Sequence, residues 1–78
     1  MHYVYILSLE NGQYYTGYTH DLQERLEKHE YHAVPTTSRI RPDELVFYAA
    51  FQSKEKAFAF EKYLKSSSGF AFRNKRLI

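Results

Sequence analysis

The chain has 78 residues and no cysteine, so it can build one core and cannot be stapled by disulfides or thiolate-bound metals. Hydrophobic residues make up 44% and charged residues 26%, the balance of a folded domain rather than of a disordered segment. A formal net charge of +2, taken at face value, speaks against a strongly electrostatic nucleic-acid binder.

Residues 3–9 (YVYILSL) and 13–18 (QYYTGY) are rich in β-branched and aromatic types, and Asn11-Gly12 between them is a strong hairpin signal. The first strand is apolar on both faces, which predicts the central strand of a sheet covered on both sides. Residues 20–30 (HDLQERLEKHE) read as a helix. Asp21 followed by Glu24 resembles a capping box, and Leu22, Arg25, Leu26 and His29 share one face by spacing. Residues 31–44 hold two prolines and clustered Thr and Ser, the composition of a loop.

Residues 45–51 (LVFYAAF) make a third strand. Ser53 then caps a helix that runs to about Lys65, with Ala57, Phe60, Glu61 and Leu64 on its inner stripe. The serine run 66–68 breaks it, and a short basic helix from about Gly69 to Arg76 completes a single domain over residues 1–78. The order β-β-α-β-α-α predicts a mixed α/β (α+β) fold: a three-stranded, mostly antiparallel sheet flanked by helices. No apolar run reaches the roughly 18 residues of a membrane span. The first ten residues show neither a basic region nor a small-residue cleavage site, so an unexported cytoplasmic protein is expected, without membrane contact.

The average charge conceals a split. Residues 1–53 carry four Lys/Arg and seven Asp/Glu, whereas residues 54–78 carry seven Lys/Arg and two Glu. The last fourteen residues, KSSSGFAFRNKRLI, contain no acid. Cations interleaved with Phe suit a nucleic-acid backbone, which makes Lys65, Arg73, Asn74, Lys75 and Arg76 candidates for DNA contact.

Three polar residues stand where packing alone prefers something else. Glu61 lies in an apolar helical stripe and calls for a cation, a metal or water, because an unpaired buried carboxylate is costly. Arg25 and His29 share a helical face with leucines. A carboxylate, a guanidinium and an imidazole on two helices beside a Tyr-rich sheet form a candidate site.

With Tyr3-Val4-Tyr5, Tyr15-Thr16-Gly17, Arg25 and Glu61 in this order and spacing, nearly the whole chain (residues 2 to 76) resembles the GIY-YIG nuclease superfamily. The likeness is to its small stand-alone bacterial domains, related to the nuclease module of the bacterial excision-repair endonuclease. Tyr3 stands where the first motif has Gly, Val4 where it has Ile, and Tyr18 where some members place a Lys. The resemblance implies sheet order 2-1-3 and a metal-dependent DNA endonuclease, structure-selective and acting in DNA repair or processing, with targeting supplied by a partner. It implies Glu61 as the ligand of Mg²⁺ (or Mn²⁺), Arg25 on the phosphoryl oxygens, and Tyr5 and Tyr15 near the attacking water. Tyr5 is preferred as the base, with Tyr15 orienting water or phosphate. His29 would assist proton transfer, Gly17 and Arg25 would approach the DNA, and Asn74 is the nearest counterpart of an asparagine that many members carry. The reading from another class is a non-catalytic nucleic-acid-binding module on the same fold.

A parity argument sets a geometric condition. A strict two-residue Asn11-Gly12 turn puts Tyr5 and Tyr15 on opposite sheet faces. A three-residue loop with Gly12 left-handed pairs Leu7 with Tyr15 and Tyr5 with Gly17, so a shared site requires this bulged hairpin.

Overall fold

A computed structural model describes residues 1–30 and 42–78. Most of the expected loop, residues 31–41, lies outside them. Three strands, β1 (His2–Leu9), β2 (Tyr14–Thr19) and β3 (Pro42–Phe51), form one antiparallel sheet in the order β2-β1-β3. The apolar first strand is therefore central, as its two-faced pattern requires.

The hairpin is the bulged form. Gly12 donates to the Leu9 carbonyl (3.0 Å) and has φ 84°, while the Leu9 N–H donates to Gln13 O (2.8 Å). A left-handed residue at the end of a turn is what a G1 bulge demands, and glycine takes that φ without steric cost. The resulting register sets Leu7 opposite Tyr15 and Tyr5 opposite Gly17.

Helix α1 (Leu22–Glu30) begins on Asp21, whose Oδ1 accepts the Glu24 N–H at 3.1 Å. The reciprocal half of the expected capping box goes elsewhere. The Asp21 N–H donates to the Thr19 hydroxyl, and the Glu24 carboxylate pairs with Lys28 at 3.0 Å. Strand β3 starts at Pro42, three residues before the expected start. It is an edge strand, where a proline at the first position interrupts no ladder. It pairs with β1 through two irregularities: Val46 is the extra residue between Phe47 and Leu45, and Asp43 the extra one between Glu44 and Pro42. The first bulge lets two successive residues, Val46 and Phe47, both pack on the same core cluster.

Helix α2 (Lys54–Leu64) is capped by the Ser53 hydroxyl, which accepts the Lys56 N–H at 3.3 Å. The serine run does more than end it. The Ser66 hydroxyl donates to Tyr63 O at 2.6 Å and accepts the Gly69 N–H at 3.2 Å, so one side chain closes α2 and opens α3 (Ser67–Phe72). Instead of one α-helix over 69–76, α3 ends at Phe72 and a π-helical turn, Arg73–Leu77, completes the chain. Val4 and Ile6 on one sheet face pack with Ala57 and Leu64 of α2, joined by Tyr18, Phe47, Phe51, Phe60 and Leu77.

Gly69 makes the tight α2–α3 junction possible. A Cβ there would drive into the Tyr63 carbonyl, a backbone group that cannot swing aside. Gly69→Ala should therefore lower stability by about 2–3 kcal/mol, read as a lower midpoint in urea with an unchanged slope.

Candidate active site

The opposite sheet face carries the odd-numbered residues of β1. Tyr5, Tyr15 and Gly17 meet there because of the bulged register. The Tyr5 and Tyr15 ring centroids are 6.2 Å apart, tilted by 43°. Gly17 is buried directly opposite Tyr5, and a Cβ on it would lie 2.6 Å from Tyr5 Cζ and Oη and 2.9 Å from Tyr15 Cε2. The Tyr-x-Gly pattern thus has a steric cause: only a glycine lets the Tyr5 ring lie across the neighbouring strand and touch Tyr15.

Arg25 reaches this pair from α1, half-buried between Leu22 and Leu26. Tyr5 is completely buried, and its phenol is hydrogen-bonded to both Arg25 and Tyr15. Burial pushes the Tyr5 phenol well above its ordinary value and the Tyr15 phenol adds to that, while the Arg25 guanidinium works against the rise. A raised folded-state pKa stabilises the fold below the unfolded value near 10, and that contribution is lost as pH rises through the folded value. Tyr5→Phe should accordingly flatten the alkaline loss of stability above pH ~10, measured as melting temperature against pH.

Glu61 enters from the other layer, on α2. Its side chain is 21% exposed, and its Oε2 lies 3.2 Å from Lys65 Nζ, an i,i+4 ion pair. Lys65 in turn lines a cleft of about 330 Å³ at the edge of β2 with Tyr15, Thr16, Leu64, Tyr14, Phe70 and Arg73, and Glu61 is linked to that cleft through its pair with Lys65. A single carboxylate with water around it fits a hard divalent cation such as Mg²⁺, which keeps most of its waters. Among the described residues no group of three His, Cys, Asp or Glu side chains is assembled for metal binding, so a metal here would rest on Glu61 and water.

The other expected residues are placed as follows. His29 lies on α1 one turn beyond Arg25, and its side chain is outside the described part. Asn74, Lys75 and Arg76 are exposed on the π-helical turn. Arg73 is buried rather than solvated: its Nε and Nη2 donate to Asn74 Oδ1 at 3.2 and 3.0 Å, and its guanidinium sits 4.3 Å from the Phe70 ring centre and 5.2 Å from that of Tyr14. Sequence reasoning missed Tyr14 and Phe70 as its partners. The alternation of YYT put Tyr14 on the opposite side from Tyr15, but only the folded hairpin brings it to the C-terminal segment.

The model of the GIY-YIG catalytic domain matches residues 1–76. The chain belongs to the GIY-YIG family. It is 44% identical over 68 residues to the UPF0213 protein BH0048 of Halalkalibacterium halodurans, covering 86% of this chain and 72% of that one. It is 35% identical to the UPF0213 protein CPE1444 of Clostridium perfringens, covering 99% of this chain and 80% of that one. The solution NMR structure of the BH0048 protein superposes with a TM-score of 0.59 at 36% identity, over 97% of this chain and 85% of that one.

Membership implies a nuclease-type function with DNA as substrate, and GIY-YIG nucleases generally depend on a divalent metal. The departures from the GIY-YIG pattern have local explanations. Tyr3, in place of the first Gly, faces Thr19 and Ala50, two small partners that leave room for its ring. Tyr18, where some GIY-YIG members have Lys, lies on the core face opposite Val4, packs on Phe58 with centroids 4.4 Å apart, and bonds to His2 at 2.7 Å. A cation at that position would point away from the Tyr5 face. Among the described residues no helix is long and apolar enough to cross a membrane.

Proposed function

We propose that this chain is a Mg²⁺-dependent endonuclease that hydrolyses phosphodiester bonds in DNA, acting in the cytoplasm in DNA repair or processing with a partner for targeting. The observation that carries the reading is the Tyr5–Tyr15–Arg25 cluster, held together by the bulged hairpin and the bare Cα of Gly17. A buried phenol bonded to a half-buried guanidinium and a second, half-buried phenol is the kind of clustered titratable group that marks a candidate functional site.

The roles follow from exposure and charge. Arg25 is permanently cationic and forked, suited to the phosphoryl oxygens as they gather charge. Tyr5 is a poor base in this state, because burial and Tyr15 both oppose its ionisation. It serves better as the phenol that accepts from Arg25 and donates to Tyr15, holding the two in register. Tyr15, half-buried and lining the β2-edge cleft, is the phenol that orients the attacking water or takes its proton. This reverses the preference drawn from the sequence. Glu61 would hold the metal, which when bound neutralises the phosphate and stabilises the leaving oxygen. His29, one turn beyond Arg25, is assigned assistance in proton transfer.

The test is cleavage of branched, flapped and linear DNA with Mg²⁺, Mn²⁺ or EDTA. Wild type should cut with either metal and stop in EDTA. Arg25→Ala should lower the cleavage rate by about 10²–10³-fold, the loss typical of one preorganised charge-stabilising donor. Salt-sensitive binding with no cutting of any substrate would establish the binding module instead.

A further inference from the structure

Beside the tyrosine cluster, a second surface has no part in the chemistry above. Tyr14, Phe70 and Arg73 line two adjoining clefts. One reaches Tyr15, Thr16 and Lys65, and the other continues to Gly12 and Gln13 at the hairpin tip. Together they make a track along the open edge of β2 that starts at the candidate active site.

Its composition is specific. The Arg73 guanidinium is buried, yet among the described residues no carboxylate pairs with it. Its hydrogen-bond acceptor is the neutral Asn74 amide, and its remaining neighbours are the faces of Phe70 and Tyr14. The guanidinium nitrogen that makes no such bond stays open to solvent, so the charge is available to an anion that enters the cleft. Lys65 stands in the same cleft. The two rings that flank the guanidinium nevertheless stay open to solvent, Phe70 at 52% and Tyr14 at 39%. Cations set for phosphate, interleaved with exposed aromatic faces, are the pattern that binds a single strand: the backbone follows the charges and unpaired bases stack on the rings. A duplex keeps its bases stacked on one another and has no face to offer Phe70 or Tyr14.

We propose that the Tyr14–Phe70–Arg73 track binds the unpaired DNA strand next to the bond to be cut, so that the substrate is DNA with a single-stranded segment at the cleavage point. The proposal rests on the nuclease reading for the position of the cut. The track itself can be tested without cleavage.

The experiment measures binding of a fluorescent 12-nucleotide oligo-dT and of a duplex of equal length in EDTA, at matched salt, for wild type, Phe70→Ala, Phe70→Tyr and Glu61→Gln. Cleavage of both substrates with Mg²⁺ is followed in parallel. Phe70 is exposed, so its replacement should leave the far-ultraviolet spectrum and melting temperature close to wild type. Wild type should bind the single strand at least tenfold more tightly than the duplex. Phe70→Ala should weaken single-strand binding about tenfold and leave duplex binding unchanged, with Phe70→Tyr restoring it. Glu61→Gln, which leaves Lys65 without its carboxylate, should bind at least as tightly as wild type. A wild-type preference for duplex, or single-strand binding indifferent to Phe70→Ala, overturns the track even if Mg²⁺-dependent cutting is present. Phe70-dependent strand binding without cutting supports the track and overturns the nuclease reading instead.

Discussion

Glu61→Gln should give a folded protein that binds DNA and fails to cut it, with the Mg²⁺-dependent rate down by about 10³-fold or more, several kcal/mol of transition-state stabilisation. The substitution keeps volume and hydrogen-bonding capacity and removes only the negative charge. In the fold that charge meets Lys65 across 3.2 Å, with the lysine side chain 57% exposed. Pairs of this kind contribute at most about 1 kcal/mol, so the melting temperature should move little. Lys65→Met separates the two roles of the pair. It also removes the ion pair, yet it leaves the Glu61 carboxylate in place for a metal. If Glu61→Gln cut DNA at the wild-type rate, the metal site would have to be elsewhere, and the assignment of Glu61 would fall. Direct binding of Mn²⁺, followed by paramagnetic broadening of resonances near residue 61, gives a readout independent of activity.

Gly17→Ala should damage both stability and catalysis. The added methyl would lie 2.6 Å from the Tyr5 Cζ and Oη atoms. Tyr5 is completely buried on the central strand, with the Tyr15 ring beside it, so its own ring has little room to retreat. Either the strands part or the phenol leaves Arg25 and Tyr15. The expected cost is about 1–3 kcal/mol of stability, as for other overpacked cores. A displacement of about 1 Å in the phenol should also lower cleavage about 10²-fold. Chemical denaturation and single-turnover cleavage measure the two effects. The steric origin has its own check, because in a Tyr5→Leu background most of the stability cost of Gly17→Ala should vanish, a coupling of about 1–2 kcal/mol. A Gly17→Ala protein as stable and as active as wild type would show that the ring does not depend on that space.

Much of this arrangement was legible in the chain because it depends on parity and period. The requirement that Tyr5 and Tyr15 share a face excluded the two-residue turn, and the structure has the bulged loop with Gly12 at φ 84°. The apolar pattern of YVYILSL placed β1 at the centre of the sheet. The stripe of α2 likewise brought Ala57 and Leu64 inward, with Glu61 at its margin. What was not legible arises from contacts distant in sequence. Arg73 in a basic segment reads as solvated, and its burial depends on Tyr14, 59 positions earlier. The serine run reads as a break, whereas Ser66 joins two helices through two hydrogen bonds of one hydroxyl. Pro42 and Asp43 read as loop because propensity does not know that β3 lies on an edge. The protonation preference of Tyr5 also follows from burial, which residue type alone cannot supply.

The two irregularities in β3 have a consequence for the protein in a crowded solution. A sheet edge of ten residues with a regular ladder would be a template on which another chain could add a strand. Here the extra residues Val46 and Asp43 interrupt the spacing of the backbone donors and acceptors twice within five positions. A straight incoming strand can match only a short piece of that edge at a time. The same bulge that turns Val46 and Phe47 into the core therefore blunts the flank of the sheet against self-association, and straightening β3 by deleting Val46 should raise the rate of aggregation.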